Sequence, residues 1–182
     1  MKNFVGVSLL AAALLVSVSN VEALPITPSS TPQWTGDENS NGGALAEAAA
    51  ECGCVLGTEQ YKQNVGGGEE GPLASSYQTT FLNSPSDPSG ANIAFTGGLS
   101  LTGQVYLFVK DGNQSPAWYL FDLGAMNWDG HETLNLSGFW PAQGAISHVS
   151  LFGGVATVPE PATLSLLGIG LFGLAALRRR MA

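Results

Sequence analysis

Positively charged residues are scarce in most of this sequence. Between Leu24 and Thr157 there are twelve acidic residues and only two basic ones, Lys62 and Lys110, so this segment carries a net charge near −10. A surface this acidic repels phosphate backbones and anionic lipid headgroups. The composition therefore argues against a nucleic-acid-binding protein, whereas it is compatible with divalent cations, with neutral glycans or simply with solubility.

Cysteine is also rare, since Cys52 and Cys54 are the only two in the chain and one residue separates them. A disulfide across a single residue would form a small ring outside the usual geometry and would close almost no loop. The pair is compatible with a redox-active bridge, with soft-metal ligands or with thiols that bond to other chains. We expect a structural or incidental pair.

Familiar catalytic patterns are missing as well. No serine lies in a Gly-x-Ser-x-Gly elbow, no phosphate-binding loop occurs, and neither cysteine has a neighbouring histidine. The acid–base candidates are Asp129, His131 and Glu132, together with His148. A polar turn between strands explains the cluster at 129–132 adequately, so we predict that the protein is not an enzyme.

The first 23 residues contain the three parts of a secretory signal peptide. Lys2 precedes an apolar run from Phe4 to Val18, and residues 21 and 23 suit the pocket of a signal peptidase. We therefore predict a signal peptide over residues 1–23, cleaved after Ala23. The alternative is a buried N-terminal helix or an uncleaved anchor, and Pro25 argues against it because proline cannot continue a helix.

The other end of the chain has an uncharged apolar segment, residues 162–177, between a short proline motif and three arginines. At ~1.5 Å per residue this segment spans about 24 Å as a helix, somewhat less than a ~30 Å hydrocarbon core. A helix still satisfies its own backbone in lipid, and arginines favour the cytoplasmic side. We therefore predict a transmembrane helix over 162–177 and an exported segment over 24–157. The flanking residues are Pro159, Glu160, Pro161, Arg178, Arg179 and Arg180.

Taken together, residues 158–182 resemble the PEP-CTERM sorting signal of Gram-negative bacteria. The resemblance implies that the Pro-Glu-Pro triplet is recognised by exosortase, a membrane-embedded cysteine transpeptidase, and that the arginines stop transfer. It further implies a protein that is anchored in the membrane by its C-terminus before processing, and that then lies at the cell surface or outside the cell. The association of this family with exopolysaccharide makes exopolysaccharide an expected partner.

The exported segment is long enough for one domain. Residues 24–41 are rich in proline and polar residues and predict an extended arm, and residues 44–51 predict a short helix that Asn41 or Gly42 could cap. Beyond residue 76, about six strand-like runs follow. We predict a mainly β protein with a single antiparallel β-sandwich-like domain and one short helix. The apolar strands around residues 105 and 118 should lie in its middle, buried on both faces, and His148 should lie near the polar register of its strand.

A calcium site is one candidate within this domain. Asp37, Asn39 and Asn41 occupy alternate positions before a glycine, as in the first half of an EF-hand loop. The twelfth position, which should hold a bidentate glutamate, is Ala48, and Glu47 comes one residue early. Calcium is therefore a candidate cofactor, and a polar loop that caps the helix is the simpler interpretation.

Tryptophan is the other candidate for ligand binding. Trp128 and Trp140 lie near turns and are better placed for exposure than Trp118, which lies in an apolar strand. Packing in the core is nevertheless the simpler interpretation for each. Two functions follow. The first is a structural or interaction role in the envelope or extracellular matrix, linked to exopolysaccharide. The alternative is a glycan- or calcium-binding β-sandwich module.

Overall fold

The structure is a computed structural model that describes residues 23–84, 86–111, 113–141 and 145–156. The body of the predicted signal peptide, the sorting motif and the predicted helix 162–177 lie outside these residues. Among the described residues, no helix combines the length and the apolar character that crossing a membrane requires.

The described residues form two β-sheets and one α-helix. In chain order the elements are β1 (Leu24–Ile26), β2 (Gln33–Gly36), α1 (Asn41–Cys52), β3 (Glu59–Asn64), β4 (Glu69–Glu70), β5 (Tyr77–Leu82), β6 (Gly90–Phe95), β7 (Leu101–Asp111), β8 (Trp118–Asp122), β9 (Leu134–Leu136) and β10 (Ile146–Val155). The mainly β architecture with one helix is the predicted one.

The larger sheet has six strands in the order β2-β8-β7-β10-β3-β4, and all of its pairs are antiparallel. The smaller sheet has the order β1-β9-β6-β5. Its β1–β9 pair is parallel, which departs from the predicted antiparallel arrangement. A parallel pair requires a long crossover connection, and the chain between residues 26 and 134 supplies it.

The main core lies between the two sheets and contains fully buried side chains from both, including Ile93, Leu107 and Phe121. Strand β7 is buried on both of its faces. Leu107 and Val109 belong to the core between the sheets, whereas Tyr106 and Phe108 belong to a second cluster on the outer face of the larger sheet. The prediction that this apolar strand lies in the middle of the fold is therefore confirmed.

Helix α1 covers part of that outer face. Its buried residues Ala44 and Ala48 belong to the cluster that contains Phe108 and Trp118, and their small side chains let the helix lie close to the sheet. Ser40, rather than Asn41 or Gly42, is the N-cap. Its backbone is extended and its Oγ accepts a hydrogen bond from the N–H of Gly43 at 3.2 Å, which satisfies one of the free donors of the first turn.

The segment predicted as an extended arm, residues 24–41, is an integral part of both sheets. Strand β1 pairs with β9, and β2 pairs with β8. Each is an edge strand, which explains how proline-rich sequence can be accommodated: an edge strand tolerates the missing N–H of a residue such as Pro25. The segment is extended as predicted, and its backbone is paired.

His148 does not face solvent. It lies on the outer face of the larger sheet with 7% of its surface exposed, and its ring centroid is 6.1 Å from that of Phe108. Burial, reinforced by the charges of Lys62 and Lys110, lowers the pKa of His148 to about 4. The side chains of β10 therefore alternate between two faces as predicted, but those on both faces are buried.

Candidate functional site

An open groove runs along the surface beside the N-terminal half of β8. It has a volume of about 460 Å³. We call it the aromatic groove, and its lining residues are Pro28, Gln114, Ser115, Pro116, Tyr119, Gly138, Trp140 and Pro141. Two aromatic rings and three prolines give it rigid apolar walls, and none of these eight described residues is charged.

Trp140 has the most constrained backbone of the groove. Its φ angle is 44°, in the left-handed region that bulky residues rarely adopt. Holding a residue there costs about 1–3 kcal/mol, and such conformations concentrate at functional sites. The indole Nε1–H donates a hydrogen bond to the carbonyl of Pro116 at 2.8 Å, and this bond fixes the ring across the groove wall.

Tyr119 forms the neighbouring part of the wall. Its ring meets that of Trp140 edge-on at a centroid distance of 5.3 Å, and it meets Phe139 in the same way at 5.3 Å. Burial raises the pKa of Tyr119, so its hydroxyl stays protonated at physiological pH. The groove therefore offers preorganised apolar faces, a hydroxyl, and the polar side chains of Gln114 and Ser115. These groups suit an uncharged ligand rich in hydroxyl groups.

Trp128, the other tryptophan considered for glycan contact, lies elsewhere. It is 7% exposed and belongs to the core between the sheets, where its ring lies 6.2 Å from that of Tyr77. Its Nε1–H donates to the carbonyl of Glu132 at 2.8 Å. Trp128 is therefore packed in the core, which is the simpler interpretation of its sequence position, and is not an exposed ring. Trp140 is also mostly buried, at 9% exposed, but part of its surface lines the groove.

The loop considered for calcium is tied to the sheet and to α1. The Lys110 ammonium donates to Asn39 Oδ1 at 2.5 Å, and Asn41 is the first residue of α1. Glu47 Oε2 accepts from the N–H of Glu38 at 3.0 Å and from Trp118 Nε1–H at 2.8 Å. Asp37 is exposed. Calcium binding at this loop stays a prediction, which calorimetry with calcium would test.

The acidic turn at 129–132 is stabilised by hydrogen bonds within the turn. Asp129 Oδ1 accepts hydrogen bonds from the N–H groups of His131 at 2.8 Å and of Glu132 at 3.2 Å. These bonds lower the pKa of Asp129. The ring of His131 packs against Phe95, whereas His148 packs in the outer cluster, so the structure does not join the two histidines. Within the described residues, no three His, Cys, Asp or Glu side chains are grouped closely enough to hold a metal ion.

Cys52 and Cys54 form a disulfide, which is one of the alternatives that their spacing left open. Cys52 ends α1, and Gly53 follows in the left-handed conformation with a φ angle of 59°. That turn, which glycine adopts without a steric penalty, brings the two Cα atoms to 5.1 Å. A single intervening glycine therefore suffices for the bridge.

One comparison with known proteins gives a match. The model of the PEP-CTERM protein-sorting motif matches residues 157–180. The chain carries this sorting motif. The resemblance of the proline triplet, apolar run and arginines to such a signal is thereby confirmed. The PEP-CTERM motif supports an exported protein that is anchored in the membrane and then processed by exosortase.

The β domain that precedes the PEP-CTERM motif has no comparable match. No curated protein and no solved structure matches the chain. Sequence reasoning also missed most of the groove, namely Pro28, Gln114, Ser115, Pro116, Tyr119, Gly138 and Pro141. The signal that pointed towards it was the Trp140-Pro141 pair near a turn, because an aromatic residue beside a proline is well suited to a rigid surface wall.

Proposed function

We propose that the exported domain is an interaction module of the cell surface or extracellular matrix of a Gram-negative bacterium, and that it binds a segment of neutral polysaccharide in the aromatic groove. The observation that carries this proposal is the left-handed backbone of Trp140, which presents its ring beside Tyr119 at the groove. Backbone conformations of this kind concentrate at functional sites, and a binding wall is a use for the ring that the conformation places at the groove.

The charge of the domain supports a neutral ligand over an anionic one. The net charge near −10 of residues 24–157 repels acidic polysaccharides, as it repels nucleic acid. The groove adds no local cation that would offset this repulsion, because none of its described lining residues is charged. Neutral sugars can stack their C–H faces on the rings and form hydrogen bonds with the Gln114 amide and the Ser115 hydroxyl.

The shape of the groove supports a chain rather than a small molecule. Its volume of about 460 Å³ falls within the range of ligand sites, roughly 300–1,000 Å³. It is open to solvent, so a polymer can lie across it without its ends entering a closed cavity. A purely structural role is the competing proposal, and it requires no binding at the groove.

Trp140→Phe tests the proposal, and Trp128→Phe is its matched control. Both tryptophans are almost equally buried, and each indole donates one hydrogen bond to a backbone carbonyl at 2.8 Å. The two substitutions therefore remove the same groups from similar surroundings, and only Trp140 lines the groove. Affinity for neutral polysaccharides is measured with the purified full chain in detergent by glycan array and then by calorimetry.

We expect Trp140→Phe to weaken binding about tenfold, which corresponds to ~1.4 kcal/mol of lost stacking and wall area. Trp128→Phe should leave the affinity within about twofold of the parent chain. Equal losses in both variants would show that the effect comes from stability alone. Failure of the parent chain to bind any neutral polysaccharide would favour the structural role.

A further inference from the structure

The Cys52–Cys54 bridge has one packed side and one open side. Both cysteines are partly buried and pack against the outer cluster of the larger sheet. On the other side, a Cβ atom added to Gly53 would have no other atom within 4 Å. Val55, which follows the bridge directly, has 88% of its surface exposed. The surface around Gly53 and Val55 is therefore open to solvent beside the partly buried cysteines.

The bridge contributes little as a structural link. A disulfide stabilises a fold mainly by restricting the unfolded chain, and this effect grows with the length of the loop that it closes. Here only Gly53 lies between the cysteines. Each cysteine packs against the outer cluster through its own side chain, and this packing does not depend on the S–S bond itself. Both cysteines of the sequence are nevertheless committed to this bridge.

We propose that the Cys52–Cys54 disulfide is an exchange site for thiols, through which the exported domain forms a mixed disulfide with a partner thiol. In the reaction, an incoming thiolate attacks one sulfur and a new intermolecular S–S bond forms. The bond between Cys52 and Cys54 breaks, and the departing sulfur leaves as a thiolate that takes a proton from water. The electron pair of the incoming thiolate forms the new bond, the pair of the old bond leaves with the departing sulfur, and the number of S–S bonds is unchanged, so no further oxidant or reductant is needed.

The position of the bridge at the end of α1 indicates which sulfur is attacked. Cys52 is the last residue of the helix, and its sulfur lies 3.5 Å from the carbonyl oxygen of Ala49. The C-terminal end of a helix carries partial negative charge, which disfavours a thiolate beside it, although the Cys54 N–H donates to the Ala49 carbonyl here at 3.2 Å. Cys54 lies beyond the helix and is the better leaving group. The partner is therefore expected to become attached to Cys52.

The first experiment measures how fast the disulfide of the full chain reacts with reduced glutathione, by quenching with an alkylating reagent and determining intact mass. The same chain unfolded in urea is the internal reference. An accessible exchange site should react in the native state within about tenfold of the unfolded rate. A native rate slower by about a hundredfold or more would identify a protected structural bridge and overturn the proposal.

Single variants then test the mixed disulfide directly. Cys54→Ser leaves Cys52 as a lone thiol, and incubation with oxidised glutathione should add one glutathione to the folded chain. Cys52→Ser is the matched variant and should form its adduct more readily, because its thiolate at Cys54 is the more stable one. Circular dichroism verifies that both are folded. If neither folded variant forms an adduct, the proposal is wrong, and the rate on the unmutated chain provides an independent test if they do not fold.

Val55→Ser distinguishes a protein thiol from a small one. The exchange rate is measured with glutathione and with a cysteine peptide that carries apolar residues beside its thiol. If the partner is a protein, the substitution should lower the exchange rate with the peptide several-fold and leave the rate with glutathione unchanged. The reason is that Val55 would contact the apolar residues beside the peptide's thiol. Equal rates for Val55→Ser and the parent chain support the same exchange site with a small thiol as its partner.

Discussion

Glu47 is expected to contribute more to stability than any other surface carboxylate of α1, because it joins three parts of the fold. A single oxygen of its side chain, Oε2, accepts the Nε1–H of Trp118 at 2.8 Å and the backbone N–H of Glu38 at 3.0 Å. Trp118 is completely buried in β8, and Glu38 lies in the loop before the helix. Glu47→Ala removes the acceptor from both donors.

The two donors suffer different losses. The N–H of Glu38 is exposed and can donate to water instead, so the loss of this hydrogen bond costs little. The Trp118 N–H belongs to a side chain that is completely buried, and a buried donor left without a partner costs about 1–3 kcal/mol. We therefore expect Glu47→Ala to lower the free energy of unfolding by about 2 kcal/mol. Glu47→Gln keeps a neutral acceptor in place and should cost about half as much, because hydrogen bonds to charged acceptors are roughly twice as strong.

Urea denaturation, followed by tryptophan fluorescence and by circular dichroism, measures these changes. Glu51→Ala is the control, because Glu51 lies on the same helix one turn later and is exposed. Its substitution should change stability by no more than about 0.5 kcal/mol. The reasoning is refuted if Glu47→Ala and Glu51→Ala have the same stability, or if Glu47→Gln is as unstable as Glu47→Ala.

Two further predictions concern pH and processing. His148 has a pKa lowered to about 4 when folded, against an ordinary value of about 6.5, so the unfolded chain binds more protons and stability falls as the pH drops from 6.5 towards 4. We expect a loss of about 2 kcal/mol between pH 7 and pH 5. His148→Phe should abolish this loss of stability. A variant whose free energy of unfolding depends on pH as in the parent chain would contradict the prediction. The second prediction is that the mature chain begins at Leu24, where β1 begins. In a host with exosortase the apolar tail should be removed from the parent chain, whereas the Glu160→Ala variant should keep its tail. Intact-mass measurement tests both ends, and a mature chain that starts beyond β1 would be unexpected.

Local sequence patterns were sufficient to predict those elements whose structure and burial follow from their own residues. The apolar run of β7 has no polar residue from Val105 to Val109, so burial on both faces is the simplest outcome. The alanine-rich run predicted a helix over residues 44–51, and the helix extends over Asn41–Cys52. The sorting motif was evident because its three parts occur in a fixed order, independently of any fold.

Features that depend on distant parts of the chain were not predictable in the same way. The outer face of the larger sheet is packed, with helix α1 covering part of it, and His148 and Ser150 are buried although they belong to the polar register of β10. The disulfide depends on the backbone conformation of Gly53 rather than on the spacing of the cysteines. The aromatic groove combines Pro28, residues 114–119 and residues 138–141, and no local pattern indicates that these segments meet.

The last strand of the domain also has a mechanical consequence. Strand β10 lies between β7 and β3 inside the larger sheet and ends at Val155, and the PEP-CTERM motif begins at residue 157. A force applied to the tail, by an anchor in the membrane or by flow acting on a surface-bound cell, is therefore transmitted straight into an inner strand. Pulling along β10 loads the hydrogen bonds to β7 and β3 together, in shear, instead of opening them one at a time. A tail attached here thus pulls on a strand that has hydrogen-bonded neighbours on both sides.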